Sequence, residues 1–380
     1  MADVALPVLP SYPVATMRAL ARNTLVNTLG VKRGENVLIE TWSATLPWAT
    51  SAVLEARILG ARPLLVVDDE EAWWRSVEEA SPANLGQAGS HEWAALKETD
   101  AVFYLHGPLD LPREEALPKA VQERIRAVDH EWFRLMEKSR IRACRWDLGR
   151  THESVARKYG VSLDRWRKEL VDAASVDPHT LQRDGQRVAR AFRGGQEVHI
   201  THPNGTDLRL RLAGRVPIVD DGILDEADLR ADRGFTVVPS GVTLVANDEA
   251  YAEGRFVSNT SGVAFSEERE VITHGADWTF RRGRLAKYQF EQGEAEWRRV
   301  YDRLGPGKDR PGLLSVGLNP HTTSIPLLFD QERGTVSIAV GRNSQLGGKI
   351  RTPHFHGYAS IRGATLTIDG QSLLSDGLLG

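Results

Sequence analysis

Four short apolar runs, each separated from the next by helix-patterned sequence, limit the fold of this chain more than any other feature. The runs are Asn36–Glu40, Pro63–Val67, Ala101–Leu105 and Ile141–Trp146. Strands that are apolar along most of their length are buried on both faces, and the helices between them are the crossovers a parallel sheet requires. Tyr12–Leu29 carries Val14, Met17, Leu20, Ala21, Leu25 and Leu29 at helical spacing, with Gly30 placed to end it. Pro47–Leu59 has a proline in its first turn and Gly60 just past its end. Further helical patterns lie at 70–80, 90–98 and 117–137. The expectation is a doubly wound α/β domain. Thr41-Trp42-Ser43-Ala44-Thr45 follows the first strand, so the glycine-rich turn of a dinucleotide site is missing, and no phosphate loop occurs elsewhere.

Helical patterns at 150–159 and 163–190 lead out of this domain, and after about residue 195 the texture changes. Val198–His202 runs into Pro203-Asn204-Gly205, and Leu208–Leu212 alternates apolar with charged residues. The Asn-Gly pair reads as a hairpin turn. Similar short strands are expected at 236–245, 255–259, 335–341 and 364–368, with one helix at Gly293–Leu304. A chain of 380 residues exceeds what one core usually supports. The reading is therefore a doubly wound parallel-sheet domain over 1–190 and a β-rich α+β domain over 191–380.

A net charge of −3 gives no basic face for nucleic acid. No run of eighteen apolar residues is present to span a membrane, and no secretory leader is visible at the N-terminus. Cys144 is the single cysteine, so neither an internal disulfide nor a thiolate metal site can form. A cytoplasmic location is expected by elimination.

The second half carries a series of short motifs. Asn204-Gly205-Thr206-Asp207-Leu208 is followed by Gly214-Arg215, then Pro239-Ser240-Gly241, then Gly312–Pro320 (GLLSVGLNP). Gly334-Thr335-Val336-Ser337-Ile338-Ala339-Val340-Gly341, Gly347-Gly348, His354-Phe355-His356 and Ile368-Asp369-Gly370 complete the series. In this order they resemble the thermophilic aminopeptidase family, aminopeptidase T and its relatives. The resemblance implies an aminopeptidase-T-like fold and a homodimer formed through the second domain. It also implies a peptidase site in which two divalent metals are held by two glutamates, a histidine, a tyrosine and a His-x-Asp pair. Such metals activate a bridging water and polarise a carbonyl, and they need anionic or imidazole ligands.

Here the glutamate positions are Val242 and Leu313, the histidine is Ser337, the tyrosine is Ser344, and the aspartate is His356. Of the implied ligands only His354 is kept. Valine and leucine bind no cation, so dinuclear aminopeptidase chemistry is not expected. The preferred reading is a catalytically degenerate protein with no cofactor, binding a peptide or peptide-like ligand in an inherited interdomain cleft. By analogy with accessory proteins of peptide natural-product pathways, it would present that peptide to a separate modifying enzyme. Cleft candidates are His354, His356, Ser337, Val242, Leu313, Ser344, His321 and Trp42.

The alternative is an enzyme. His354 and His356, two apart in a strand, face one side, which suits a mononuclear metal. A relative of the resembled family, 2,5-dihydroxypyridine 5,6-dioxygenase, is a mononuclear iron enzyme, so iron would be the metal, with His321 or His274 as a third ligand. The tryptophans cluster in the first domain and read as core. In the ligand reading, Trp42 and Trp48 instead reach the cleft. The basic run Arg281-Arg282-Gly283-Arg284 with Lys287 is a solvated face or a receptor for a carboxylate.

Overall fold

The structure, a computed structural model, describes residues 12–85, 89–266, 270–323, 325–352 and 355–380. The chain separates into two compact units. One runs to Asp177 and takes back Gly222–Pro239; the other comprises Pro178–Asp221 and Ser240–Gly380.

The first eight strands, in chain order, are β1 (Asn36–Trp42), β2 (Arg62–Asp68), β3 (Ala101–Leu105), β4 (Arg142–Trp146), β5 (Glu197–His202), β6 (Thr206–Leu212), β7 (Ile218–Asp220) and β8 (Phe235–Val238). The first unit is built on a parallel sheet in the order β2-β1-β3-β4-β8, wrapped by helices. All four apolar runs are strands of this sheet. The fifth strand corrects the sequence reading, which gave residues 236–245 to the second domain. Phe235 to Val238 pair in parallel with Ala143 to Trp146. A four-residue edge strand with alternating burial lacks the apolar run that marked the others. Leu38, Val102, Ala143, Met136, Leu96 and Ile141 form one core cluster on this sheet.

The helical pattern at 163–190 is two helices, Leu163–Ala174 and Pro178–Gly194, because Asp177-Pro178 breaks it. The second of these belongs to the other unit, so the expected boundary at 190 falls inside it. It packs on β7 and on the strand that follows β8. Gly185 makes that approach possible: a Cβ there would lie 2.3 Å from Val219 Cγ1.

The second unit continues with β9 (Val242–Val257), β10 (Ser261–Ser266), β11 (Glu270–His274), β12 (Asp277–Arg281), β13 (Arg284–Gln289), β14 (Pro311–Gly317), β15 (Val336–Gly341), β16 (Phe355–Ile361), β17 (Thr365–Ile368), β18 (Gln371–Ser375) and β19 (Leu378–Leu379). The sheet path is β11-β10-β16-β15-β14-β9-β6-β5-β17-β18-β19, with β7 and β12 also pairing with β9. β9 is the spine. Its first half pairs with β14 and β7, its second half with β6 and β12. Sequence reading divided this strand into two fragments because Asn247-Asp248-Glu249 interrupts its apolar pattern. Gly254 lets the second half close on β6. Its φ is +117°, and a Cβ there would sit 2.1 Å from the Asp207 carbonyl oxygen.

Candidate functional site

Of the residues that the resemblance sets at metal-ligand positions, Val242, Leu313, Ser337 and His356 lie on β9, β14, β15 and β16, and the register of these strands places their side chains. Val242 is opposite Gly317. Leu244, Ser315, Ser337 and Ser360 form the next row, and Ala246, Leu313, Ala339 and Tyr358 the row after it. Gly341 is opposite His356, which is opposite Phe265. Successive rows two residues apart share a face. Val242, Leu313, Ser337 and His356 therefore project from one side of the sheet. The other side of β16 is core: a Cβ on Gly357 would meet the Trp297 ring at 2.2 Å, and Trp297 packs on Phe355 with ring centroids 5.5 Å apart.

The positions are filled. Val242, Leu313, Ser337 and His356 are 6%, 2%, 0% and 5% exposed. Ser337 Oγ is 2.7 Å from Ser360 Oγ, so its hydroxyl is spent on a neighbouring strand. Leu313 sits between Ala246 and Ala339, whose small side chains leave room for it. The 330–332 segment crosses this face, because a Cβ on Gly317 would meet the Glu332 and Asp330 carbonyl oxygens at 2.1 and 2.6 Å. Phe329, from the same segment, packs on Tyr358 at 5.0 Å.

That segment brings in groups that sequence reading missed. Burial pushes the Asp330 carboxyl up to about 7, and Asp220, opposite Val242 on β7, adds to the shift. Burial also raises the Tyr358 phenol, with Asp330 contributing. The His356 ring lies 6.3 Å from that of Tyr358, and its Nε2 is 3.0 Å from Gln345 Nε2. The face thus joins an imidazole, a phenol and a pair of carboxyls. Tyr358 had a sequence signal: it continues the two-residue spacing from His356. Asp330 had none, since it comes from a loop.

The motif glycines and asparagines shape the backbone. Asn319 Nδ2 donates to the Ser240 carbonyl at 2.9 Å, and Leu318 N–H to the Gly241 carbonyl at 2.9 Å, which ties two of the motifs together. Asn343 is fully buried, donates to Gly312 O and Glu249, and accepts from Ile350 N–H.

The remaining candidates are not brought together. His354 lies outside the described residues. Ser344 is in a 3-10 turn, where its Oγ accepts from Arg342 Nε at 3.2 Å. His321 is exposed after β14; its backbone N–H caps Asn319, and no hydrogen bond or ion pair joins its ring to His356 among the described residues. His274 Nδ1 is 3.2 Å from Ser261 Oγ. Trp42 is a core ring of the first unit, only 6% exposed and edge-on to Trp73 at 5.7 Å, and its ring fills the space where a Cβ on Gly107 would be. Trp48 is buried between Tyr12 and Trp146. Both rings contribute packing to their own unit, in keeping with the core reading of the tryptophans. Among the described residues no three His, Cys, Asp or Glu side chains form a group able to hold a metal ion, and no helix is long and apolar enough to cross a membrane.

No family model matches the chain, and no curated protein matches its sequence. Among solved structures, wild-type AmpT (aminopeptidase T) from Thermus thermophilus is similar, with a TM-score of 0.70 at 16% identity, covering 96% of this chain and 99% of that one. The 2,5-dihydroxypyridine dioxygenase from Pseudomonas putida KT2440 is similar with a TM-score of 0.60 at 16% identity, covering 97% of this chain and 98% of that one. At such identity the likeness speaks to fold alone, and the fold is an aminopeptidase-T-like α/β fold.

Proposed function

We propose that this protein is a catalytically degenerate member of the aminopeptidase-like fold that binds a peptide or peptide-like ligand without hydrolysing it. The observation that carries this reading is the composition of one sheet face. Val242, Leu313 and Ser337 share that face, buried and unable to ligate a metal, while hydrogen bonds tie the motif backbone around them. A metal-activated water requires ligands that these side chains cannot supply. Asp330, whose carboxyl burial pushes up to about 7, and the His356–Gln345 pair leave polar groups suited to an amide ligand. Bound in this way, a peptide would be held for a separate modifying enzyme.

The rival reading is one divalent metal, iron by preference, held by His354 and His356. One His356 nitrogen already faces Gln345, and no carboxylate joins His356 in a ligand group among the described residues.

Calorimetric titration with peptide pools, random and acidic, tests the proposal alongside an assay for amino-acid release in iron, manganese, zinc or cobalt. Binding without release is expected. Metal-dependent release, or no binding at millimolar peptide, would overturn it.

A further inference from the structure

The open edge of the first unit's parallel sheet carries exposed apolar side chains that no further strand covers among the described residues. β2 is the terminal strand and pairs with β1 alone. Leu64, Val66 and Val67 on it are 50%, 37% and 44% exposed. On the helix Leu46–Ile58, which packs on β1 and β2, Leu54 and Ile58 are 44% and 54% exposed. A bare apolar edge is a template for pairing with another chain, and monomeric proteins guard against it.

This edge reads the same in both directions. Arg62 N–H donates to the Glu35 carbonyl at 2.8 Å, so even-numbered residues of β2 turn their backbone groups toward β1. The groups of Pro63, Leu65 and Val67 then point to the open side. Arg62, Leu64, Val66 and Asp68 share one face: a cation, two apolar side chains and an anion. Laying a second copy of β2 antiparallel about Leu65 sets Arg62 of each copy opposite Asp68 of the other, and Leu64 opposite Val66. These are the non-hydrogen-bonded positions, where facing side chains come closest. Leu65 exchanges two backbone bonds with its own counterpart, and each Val67 N–H meets a Pro63 carbonyl. Proline has no N–H to return, so the Val67 carbonyls stay unpaired.

We infer that β2 is a twofold interface through which two copies of this chain join their parallel sheets edge to edge. Charge order selects a second copy over an unrelated strand, since the sequence Arg-Pro-Leu-Leu-Val-Val-Asp supplies its own complement at both ends. Leu54 and Ile58 extend the apolar edge onto the adjoining helix. The interface is independent of any ligand on the second unit.

Sedimentation velocity of the full chain over a dilution series tests the inference. The expected result is a dimer whose dissociation constant rises about tenfold or more in Leu64→Glu. Arg62→Asp and Asp68→Arg should each weaken it, and the double reversal should restore it, with circular dichroism showing each variant folded. A wild-type chain that stays monomeric at every concentration would overturn the proposal. So would a dimer unmoved by Leu64→Glu and by both charge reversals, or single reversals that weaken without rescue.

Discussion

Gln345 sets its side-chain nitrogen 3.0 Å from Nε2 of His356, across the turn that follows β15. That engages one imidazole nitrogen, and no three His, Cys, Asp or Glu side chains among the described residues form a group to chelate a cation. Protein dialysed against iron, manganese, zinc and cobalt in turn should therefore hold well under one equivalent of each, and His356→Ala should leave that value unchanged. Near-stoichiometric metal, lost on His356→Ala, would restore the enzyme reading.

Leu313, between Ala246 and Ala339, stands where the resemblance implies a glutamate, and a glutamate can be placed there. Leu313→Glu buries a carboxylate with no cation to meet it, and the expected cost is about 3–5 kcal/mol. Leu313→Met keeps the volume and should cost less than about 1.5 kcal/mol. Thermal unfolding of the two variants separates these outcomes. If Leu313→Glu is tolerated and gains metal affinity, the face is more open than its burial implies.

The parts of the fold legible in the sequence are those with a periodic signal. The four apolar strands of the first sheet and the hairpin at Asn204-Gly205 follow from local patterning and turn chemistry. β8 did not, because four residues at an edge leave no pattern. β9 did not either, because its sixteen residues change partners midway and its middle is polar. The positions of Val242, Leu313 and Ser337 were legible from motif spacing, but their burial depends on pairing between strands far apart in sequence. The packing of Trp42 on Gly107 is likewise visible only in three dimensions.

Two carboxyls make stability depend on pH in the unusual direction. Burial raises Asp330 from 3.8 to about 7, with Asp220 adding. Burial likewise raises Glu40, in the first unit, from 4.5 to about 7, against a hydrogen bond from Trp132 and helped by Asp68 and Glu92. Folded-state pKa values above the unfolded ones mean that the folded chain binds more protons in between. That contribution is complete below the unfolded pKa and is lost as pH rises through about 7. Asp330→Asn should match the wild type in acid and gain about 1–4 kcal/mol above neutrality, and Glu40→Gln should do the same for its own unit. Calorimetric melting temperatures across the range would show it. An unchanged slope in either variant would remove that carboxyl from the account.

Glu249 behaves in the opposite sense and holds the loop that bears Ser344 and Gln345. Burial alone would raise its carboxyl, but Arg215, the Lys349 N–H and Asn343 hold it down at about 2. Arg215 is 2.7 Å from one oxygen; Asn343 Nδ2 and Lys349 N are 3.0 and 2.6 Å from the other. Asn343 in turn binds Gly312 O, so one carboxylate links β9, β14 and the 343–350 loop. Glu249→Ala leaves the Arg215 charge nearly buried without its counterion, at an expected cost of about 2–4 kcal/mol. Arg215→Ala should cost a similar amount, and the double substitution less than the sum of the two, since both remove one interaction. With a depressed pKa, the stabilisation is present above 4.5 and is lost as pH falls toward 2. Hydrogen exchange in Glu249→Ala should speed at 343–350 and stay slow in β17 and β18, which the carboxylate does not touch. Equal acceleration in both places would mean that Glu249 supports the whole unit and not the loop in particular.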